Sequence, residues 1–573
     1  MFTVAKELEK VDVVTVGVGW TGGIVAAECA KEGLKVVGLE RGRERGVDDY
    51  FMIHDELRYA IRYDLMQDLS KETITFRNEP KQRALPMRRL GSFLPGEGLG
   101  GAGVHWNGMT FRFLPYDFEI YSQTVDKYGK DKIKKDYTVQ DWGITYDELE
   151  PYFDKFEKTC GISGEEWKYS GKRSNPYPTP PMKNTPYLNR FAEAAKELGY
   201  EPFMAPSANL SETYENPDGM TINACQYCGF CERFGCEYGA KSDPTITVIP
   251  TAQKTGNFEL RPHSNVTDIL HDGEKATGVK YVDVLSGEEY IQPAEVVVLT
   301  SYTMNNTRLL LHSKLGRPYD PDSGTGVIGK NYCYQIMVGV TGFYEDEQFN
   351  TFMGAGALAQ AIDDLNGDNF DHSDLDFIHG GVLTCGQSGR RPIAYNPTPP
   401  GTPGWGAEFK KNSIKYYTQT ISIGFQGASI PYRYNYLDLD PTYKDAYGSP
   451  LLRMTYNFTD QDRQLFKYLS EKGGEIMEAM GADTVARQEE LGDYDIRPYQ
   501  STHNTGGAIM GDDPDTSAVN NYLQMWDADN VFVVGASAFA HNGGYNPTGT
   551  VGALAYRAAE GIVKYSKNGG QLV

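Results

Sequence analysis

The stretch Val11-Asp12-Val13-Val14-Thr15-Val16-Gly17-Val18-Gly19-Trp20-Thr21-Gly22 passes from a β-branched run of strand length straight into a glycine-rich turn. Residues 24–32 are good helix formers, and 34–39 are a second apolar run ending at Glu40. This order predicts one βαβ unit within about 30 residues. Each glycine has its own physical role. Gly17 makes the tight turn, Gly19 lets backbone approach a diphosphate, and Gly22 lets helix and strand pack closely. The helix N-terminus then faces the phosphates. Glu40 lies about 20 residues on, where a carboxylate suits a ribose diol, and Arg41 follows it. A glycine turn alone does not explain an acidic residue in that register, so a dinucleotide site is expected. The motif does not by itself separate FAD from NAD.

Working outward, residues 295–300 and 531–534 are also continuous apolar runs, suited to buried parallel strands of the same sheet. The expected fold class is therefore α/β: a Rossmann-like dinucleotide domain interleaved with an α+β substrate-binding domain. The boundaries read as 1–125, 241–325 and 500–573 for the first, and 126–240 and 326–499 for the second. Helices are expected over 144–160 and 186–199. Segment 361–377 is rich in Asp but fails the calcium-loop spacing, so it reads as a solvated loop. Segment 390–406 holds Pro392, Pro397, Pro399, Pro400 and Pro403, and reads as a long irregular loop, a lid or a docking surface.

With 573 residues the chain is too long for one compact core, and 40% hydrophobic residues supply enough apolar surface to fill more than one. A net charge of −22 argues against nucleic acid as a partner, because phosphate backbones need a basic face. The apolar stretch 11–30 is interrupted by Asp12 and Glu28 and fits strand–turn–helix better than a signal peptide. No uncharged apolar run reaches the roughly 18 residues of a membrane span. The expected location is cytoplasmic, or extracytoplasmic if a partner subunit carries the export signal.

Cys225-Gln226-Tyr227-Cys228-Gly229-Phe230-Cys231-Glu232-Arg233-Phe234-Gly235-Cys236 holds four of the eight cysteines in the spacing C-x2-C-x2-C-x4-C. Thiolates this dense can wrap a soft metal centre without long-range folding. An iron–sulfur cluster on Cys225, Cys228, Cys231 and Cys236, within segment 220–242, is the first reading. Structural zinc is the second, and a disulfide pair the third. Cys29, Cys160, Cys333 and Cys385 are scattered and read as small buried hydrophobes.

Two further segments carry chemistry. Gly96-Glu97-Gly98-Leu99-Gly100-Gly101-Ala102-Gly103-Val104-His105-Trp106-Asn107-Gly108 would let backbone press against a flat or phosphorylated ligand. His105 within it suits either a hydrogen bond inside the loop or attachment of a flavin. Near the C-terminus, His503 precedes a glycine turn, Gly535-Ala536 follow a strand, and Asn546-Pro547-Thr548 precede a helix expected from Thr550. His541 competes with His503 as a candidate base.

Together, the fingerprint with Glu40, the 96–108 block and the His503–Asn546 tail resemble the glucose-methanol-choline (GMC) oxidoreductase family. With the cysteine segment they are most similar to its branch of large flavoprotein subunits, that of gluconate 2-dehydrogenase and fructose dehydrogenase complexes. Residues 330–495 add no motif to the resemblance. It implies FAD rather than NAD, bound non-covalently or through His105, with cofactor contacts at Gly17, Gly19, Gly22, Glu40, Arg41, Gly100, Gly101, Asn107, Gly108, Val266, Gly535, Ala536, Pro547 and Thr548. His503 would be the general base and Asn546 the hydroxyl-positioning partner. A [3Fe-4S] cluster on three of the cysteines, or a [4Fe-4S] cluster on four, would pass electrons to a cytochrome or quinone partner, beside a small subunit. The expected activity is FAD-dependent oxidation of a secondary alcohol of a sugar or sugar acid. The competing readings are an oxygen-using sugar oxidase and a zinc-stabilised, non-catalytic assembly subunit.

Overall fold

In the computed structural model, residues 5–50 and 54–572 are described. The strand Val11–Val16 lies at the centre of the first sheet, parallel to Val36–Leu39 on one side and to the second half of Glu289–Leu299 on the other. Phe258–Arg261 extends the sheet beyond Val36–Leu39, and Val531–Val533 pairs in parallel with the second half of Glu289–Leu299. The first half of that long strand pairs antiparallel with Ala276–Asp283, which pairs in turn with Ser264–His271. The apolar runs 295–300 and 531–534 therefore join the sheet of the fingerprint, as their composition required.

Registers align the carboxyl ends. Leu299 pairs with Val16, Val16 with Leu39, and Leu299 with Val533. The chain leaves all four strands at one edge, where open α/β sheets leave a crevice for ligands. The helix Trp20–Lys31 starts there, earlier than composition suggests, because Trp20-Thr21-Gly22-Gly23 are drawn into its first turn. Gly17 holds φ at +96°, and a Cβ on Gly22 would stand 2.1 Å from the Gly17 carbonyl oxygen. Thus Gly22 closes the turn on Gly17 itself.

The expected helices are Tyr146–Cys160 and Pro186–Glu197, each capped by a threonine whose hydroxyl accepts a backbone N–H. The last helix runs Thr548–Asn568 from N-cap Pro547, two residues before the expected start, and packs on Trp20–Lys31 and Tyr146–Cys160. Segments 363–380 and 389–406 are largely irregular.

A second, six-stranded antiparallel sheet orders Thr484–Arg487, Ile336–Phe343, Thr420–Gly427, Gly381–Ser388, Gly354–Ile362 and Phe203–Met204. The helix Asp460–Ala479 covers it, burying Leu465, Phe466, Leu469, Ile476 and Met477 at helical spacing against Ile336, Val338, Val340 and Phe425. A smaller sheet crosses the expected division. Ile74–Arg77, inside 1–125, pairs in parallel with Pro450–Thr455. Its half-buried β-branched run finds its partner in the other stretch of chain. Among the described residues, no helix is long and apolar enough to cross a membrane.

Candidate active site

A cavity of about 440 Å³ opens beyond the aligned strand ends. Val16, Leu39, Thr300 and Val534 form its floor, and the second sheet contributes Met337 and Gln426. Of the residues expected to hold a cofactor, Gly17, Gly19, Glu40, Arg41, Gly101, His105, Asn107, Val266, Gly535, Ala536, Pro547 and Thr548 line it. Gly22, Gly100 and Gly108 stand behind the wall, for physical reasons. Gly22 packs on Gly17, Gly100 donates its N–H to the Val18 carbonyl at 2.8 Å, and Gly108 packs against Asn209 at φ +97°. The bond from Gly100 joins the two glycine-rich segments edge to edge. Glu40 accepts N–H bonds from Val18 at 3.1 Å, Gly42 at 2.9 Å and Gly98 at 3.2 Å. It therefore ties both glycine segments together while still facing the cavity.

This cradle fits a dinucleotide with a flat head group. Backbone of both glycine segments and the N-termini of two helices converge on it. Four buried polar atoms of cavity-lining residues, Trp20 Nε1, His105 Nε2, Arg233 Nε and Gln426 Oε1, have no hydrogen-bond partner in the protein. Burial, with the Lys241 and Arg45 charges behind it, lowers the His105 pKa to about 3, so its imidazole is neutral.

At the other end, His503 and Asn546 meet. Asn546 Nδ2 lies 3.5 Å from His503 Nε2. Both side chains are held from behind. The strand Cys333–Tyr334 pairs with Asn504–Thr505, Tyr334 opposite Asn504, so the next residue, Gln335, comes beside His503. Gln335 Nε2 donates to the carbonyls of Gly543 at 3.0 Å and Tyr545 at 2.9 Å, and its Oε1 faces His503 Nδ1 in hydrogen-bond contact. An amide oxygen can only accept, so Nδ1 carries the proton and Nε2 presents its lone pair to the cavity. On the other side, Gln426 Nε2 donates to Asn546 Oδ1 at 2.9 Å, which turns the Asn546 NH2 toward His503. Burial lowers the His503 pKa to about 4, below the ordinary value near 6.5 that the sequence alone suggests. The imidazole is then a weaker base, but it is unprotonated throughout the neutral range. An alcohol between these two side chains would receive a hydrogen bond from Asn546 and give its proton to His503.

His541 is not placed to act as that base and does not line the cavity. Its Nδ1 accepts from Trp142 Nε1 at 3.0 Å, and its Nε2 meets buried Asp117 at 3.0 Å. His379 Nε2 meets the same carboxylate oxygen at 2.8 Å, and its Nδ1 accepts from the Gly380 N–H at 2.8 Å. Among the described residues these three are the group closest to metal-ligand geometry. With both Nδ1 atoms accepting, both Nε2 atoms carry protons toward Asp117, so no lone pair faces an ion. The trio is a hydrogen-bonded core node.

The cysteine segment abuts the cavity wall. Glu232 and Arg233 line the cavity, and the Arg233 N–H donates to the His105 carbonyl at 2.7 Å. Buried Lys241 donates 2.8 Å bonds to the carbonyls of Trp106, Cys231 and Phe234, which use all three of its N–H groups. All four cysteines are free thiols, so the disulfide reading is not realised here. Sulfur acceptors are met by N–H donors: Tyr227 N on Cys225 at 3.4 Å, Ala240 N on Cys236 at 3.4 Å, and Asn209 Nδ2 on Cys231 at 3.8 Å. Such donors stabilise thiolates and cluster sulfurs. Among the described residues, no three of these four sulfurs lie within 4.8 Å of one another. One tetrahedral zinc with bonds of about 2.3 Å holds its sulfurs about 3.8 Å apart. The four sulfurs are therefore not gathered for one tetrahedral ion.

Sequence reasoning missed Gln335, Gln426, Lys241 and Asn209. Each is a lone polar residue outside any catalytic motif, and none carries a signal before folding brings it beside His503, Asn546 or the cysteines.

Two family models, both described as GMC oxidoreductase, match residues 134–337 and 431–555. The second takes in part of the stretch that carried no recognisable motif. The chain is 43% identical to the gluconate 2-dehydrogenase flavoprotein of Pantoea cypripedii, over 100% of this chain and 96% of that protein. It is 24% identical to the fructose dehydrogenase large subunit of Gluconobacter japonicus, over 99% and 100% of the two. Among solved structures, pyridoxine 4-oxidase from Mesorbium loti superposes with a TM-score of 0.59 at 18% identity, covering 96% of this chain and 99% of that one. That likeness shows the shared fold. The chain belongs to the GMC oxidoreductase family and is an FAD-dependent oxidoreductase of alcohol groups.

Proposed function

We propose that this protein is a dehydrogenase that oxidises a secondary hydroxyl of a sugar acid and passes the electrons singly, through an iron–sulfur cluster, to a partner carrier. In this reading 1–125, 241–325 and 500–573 form the FAD-binding part, and 126–240 and 326–499 the substrate-binding part. The observation that carries it is the junction of the two candidate centres. The segment holding Cys225, Cys228, Cys231 and Cys236 also supplies Glu232 and Arg233 to the wall of the cavity that ends at His503 and Asn546. An oxidase delivering electrons to oxygen has no use for such a junction. The sugar-acid class is taken from the 43% identical relative.

FAD, when bound, supplies the hydride acceptor at its N5, and an iron–sulfur cluster supplies one-electron transfer. The chain's own residues do the rest. Gly17, Gly19, Gly101 and the start of the helix at Thr548 hold the dinucleotide. His105, whose Nε2 has no hydrogen-bond partner in the protein, would anchor the flavin in a covalent form. Asn546 Nδ2 would fix the direction of the substrate oxygen beside His503. His503 Nε2 accepts the hydroxyl proton, with Gln335 holding the proton on Nδ1.

The test is a substrate screen with purified protein of measured flavin and iron content, using an artificial one-electron acceptor. Gluconate, ketogluconate, fructose and glucosides are offered, each with the acceptor and with oxygen alone. Acceptor-dependent turnover of an acid by iron-containing protein is expected. Fast turnover with oxygen alone, or zinc in place of iron, would overturn the reading.

A further inference from the structure

We infer that Arg233 is the carboxylate-binding residue of the substrate site, and that it gives the enzyme its preference for sugar acids over neutral sugars. The inference rests on the sugar-acid reading above. A net charge of −22 works against an anionic substrate, so the cavity must offer it a cation. Three guanidinium groups line the cavity: Arg41, Arg308 and Arg233. Arg41 and Arg308 both reach Glu72, at 3.4 Å and 2.9 Å, and Arg308 also meets Asp445 at 2.6 Å. Their charges are already matched by carboxylates of the protein. Among the described residues, Arg233 is the cavity-lining guanidinium with no carboxylate inside hydrogen-bond distance, since Glu232 stands 3.9 Å away.

Its geometry is that of a receptor waiting for an anion. The backbone sits at φ +76°, a left-handed conformation that a non-glycine residue rarely adopts, and its N–H is fixed on the His105 carbonyl at 2.7 Å. The guanidinium lies over the Tyr499 ring, 4.7 Å from its centroid, and 5.8 Å from that of Tyr63. Nη1 donates to the Ala60 carbonyl at 3.2 Å. Nε is buried, makes no hydrogen bond and lies 3.9 Å from Glu232 Oε1. With one corner used, one face covered by tyrosine and Nε buried toward Glu232, Nη2 is the donor left for a ligand carboxylate. Tyr499 belongs to the same run of cavity-lining residues, 499–504, that carries His503. A sugar acid held at Arg233 would lie in the same cavity as His503 and Asn546.

The test compares a sugar acid with its neutral amide in wild type, Arg233→Met and Arg233→Lys, by steady-state turnover with the artificial acceptor. Iron and flavin are measured in each, because Arg233 lies between Cys231 and Cys236. Binding of a non-oxidised carboxylate is read separately from the flavin absorbance. Charge-assisted bonds contribute about 1.5–3 kcal/mol, so kcat/KM for the acid should fall about 10- to 100-fold in Arg233→Met. Most of the loss should fall in KM, the amide should change less than about 3-fold, and Arg233→Lys should recover part of the acid preference. Carboxylate binding should weaken in parallel. An equal loss on acid and amide, or an unchanged acid preference in a variant with full iron and flavin, overturns the assignment alone. A wild-type enzyme that prefers the amide overturns the sugar-acid reading and this assignment with it.

Discussion

Gln335 and His503 face each other across the end of a two-stranded pairing, amide oxygen to Nδ1, with the amide nitrogen of Gln335 held by the Gly543 and Tyr545 carbonyls. A residue that does not line the cavity thereby decides which ring nitrogen of His503 keeps its lone pair toward the cavity. His503→Ala should slow flavin reduction by substrate about 10²- to 10⁴-fold, the usual contribution of a positioned base. Gln335→Leu should slow it about 10- to 100-fold, through loss of tautomer and orientation. Stopped-flow reduction measures both, with reoxidation by the acceptor as control. A His503→Ala enzyme reduced at the wild-type rate would place the base elsewhere.

Asn546 is oriented by Gln426 and faces His503 at 3.5 Å. Asn546→Ala should reduce the rate of flavin reduction by about 10-fold, less than loss of the base, because other contacts also hold the hydroxyl. Gln426→Ala should give a smaller change in the same direction. A larger loss from Gln426→Ala than from Asn546→Ala would contradict this order.

Burial sets the pH dependence. The His503 pKa is lowered to about 4, so the base is lost only as pH falls toward that value. The rate of flavin reduction should be flat from about pH 6 upward through neutrality and decline on an acid limb well below the ordinary imidazole value near 6.5. The linkage has the same sign. An unfolded histidine takes up its proton near pH 6.5, while the buried one resists until about pH 4. Stability contributed by neutral His503 is therefore present above about pH 6.5 and is lost as pH falls through that window. A rate profile centred on about pH 6.5 would show that the base is not buried during reaction.

Cys231 is the buried cysteine of the four and lies beside Lys241. Cys231→Ser should remove the iron signal and leave the flavin reducible by substrate. Lys241→Met should keep the shape of the site but leave the carbonyls of Trp106, Cys231 and Phe234 unpaired. That should cost about 2–4 kcal/mol, seen as a lower thermal midpoint. Iron content unchanged by serine at each of the four cysteines would refute the ligand assignment.

His105 Nε2 is buried without a partner beside the cavity. Acid precipitation of the protein should leave flavin on the polypeptide, and His105→Ala should release it to the supernatant. Flavin in the wild-type supernatant would remove the covalent link and leave FAD binding intact.

The fingerprint was legible because its chemistry is local: the run 11–16, the glycines after it and Glu40 follow from strand sterics, a turn and a helix start within one short stretch. The C-x2-C-x2-C-x4-C spacing was legible for the same reason, as was the interleaving of the sheet, since only buried parallel strands need runs like 295–300, whereas His503 and Asn546 took their expected roles from the family resemblance. Tertiary structure alone decided the rest. Gln335 is 168 residues from His503 and Gln426 is 120 from Asn546, and no periodicity records such pairings. His503 differs from His541 in where its second nitrogen points: Asp117 and Trp142 hold both nitrogens of His541 away from the cavity, while Gln335 holds Nδ1 of His503 and Nε2 meets Asn546 inside it, at 3.5 Å. Local patterns specify elements, but the protonation and aim of a side chain depend on groups that only the folded chain brings within about 3 Å.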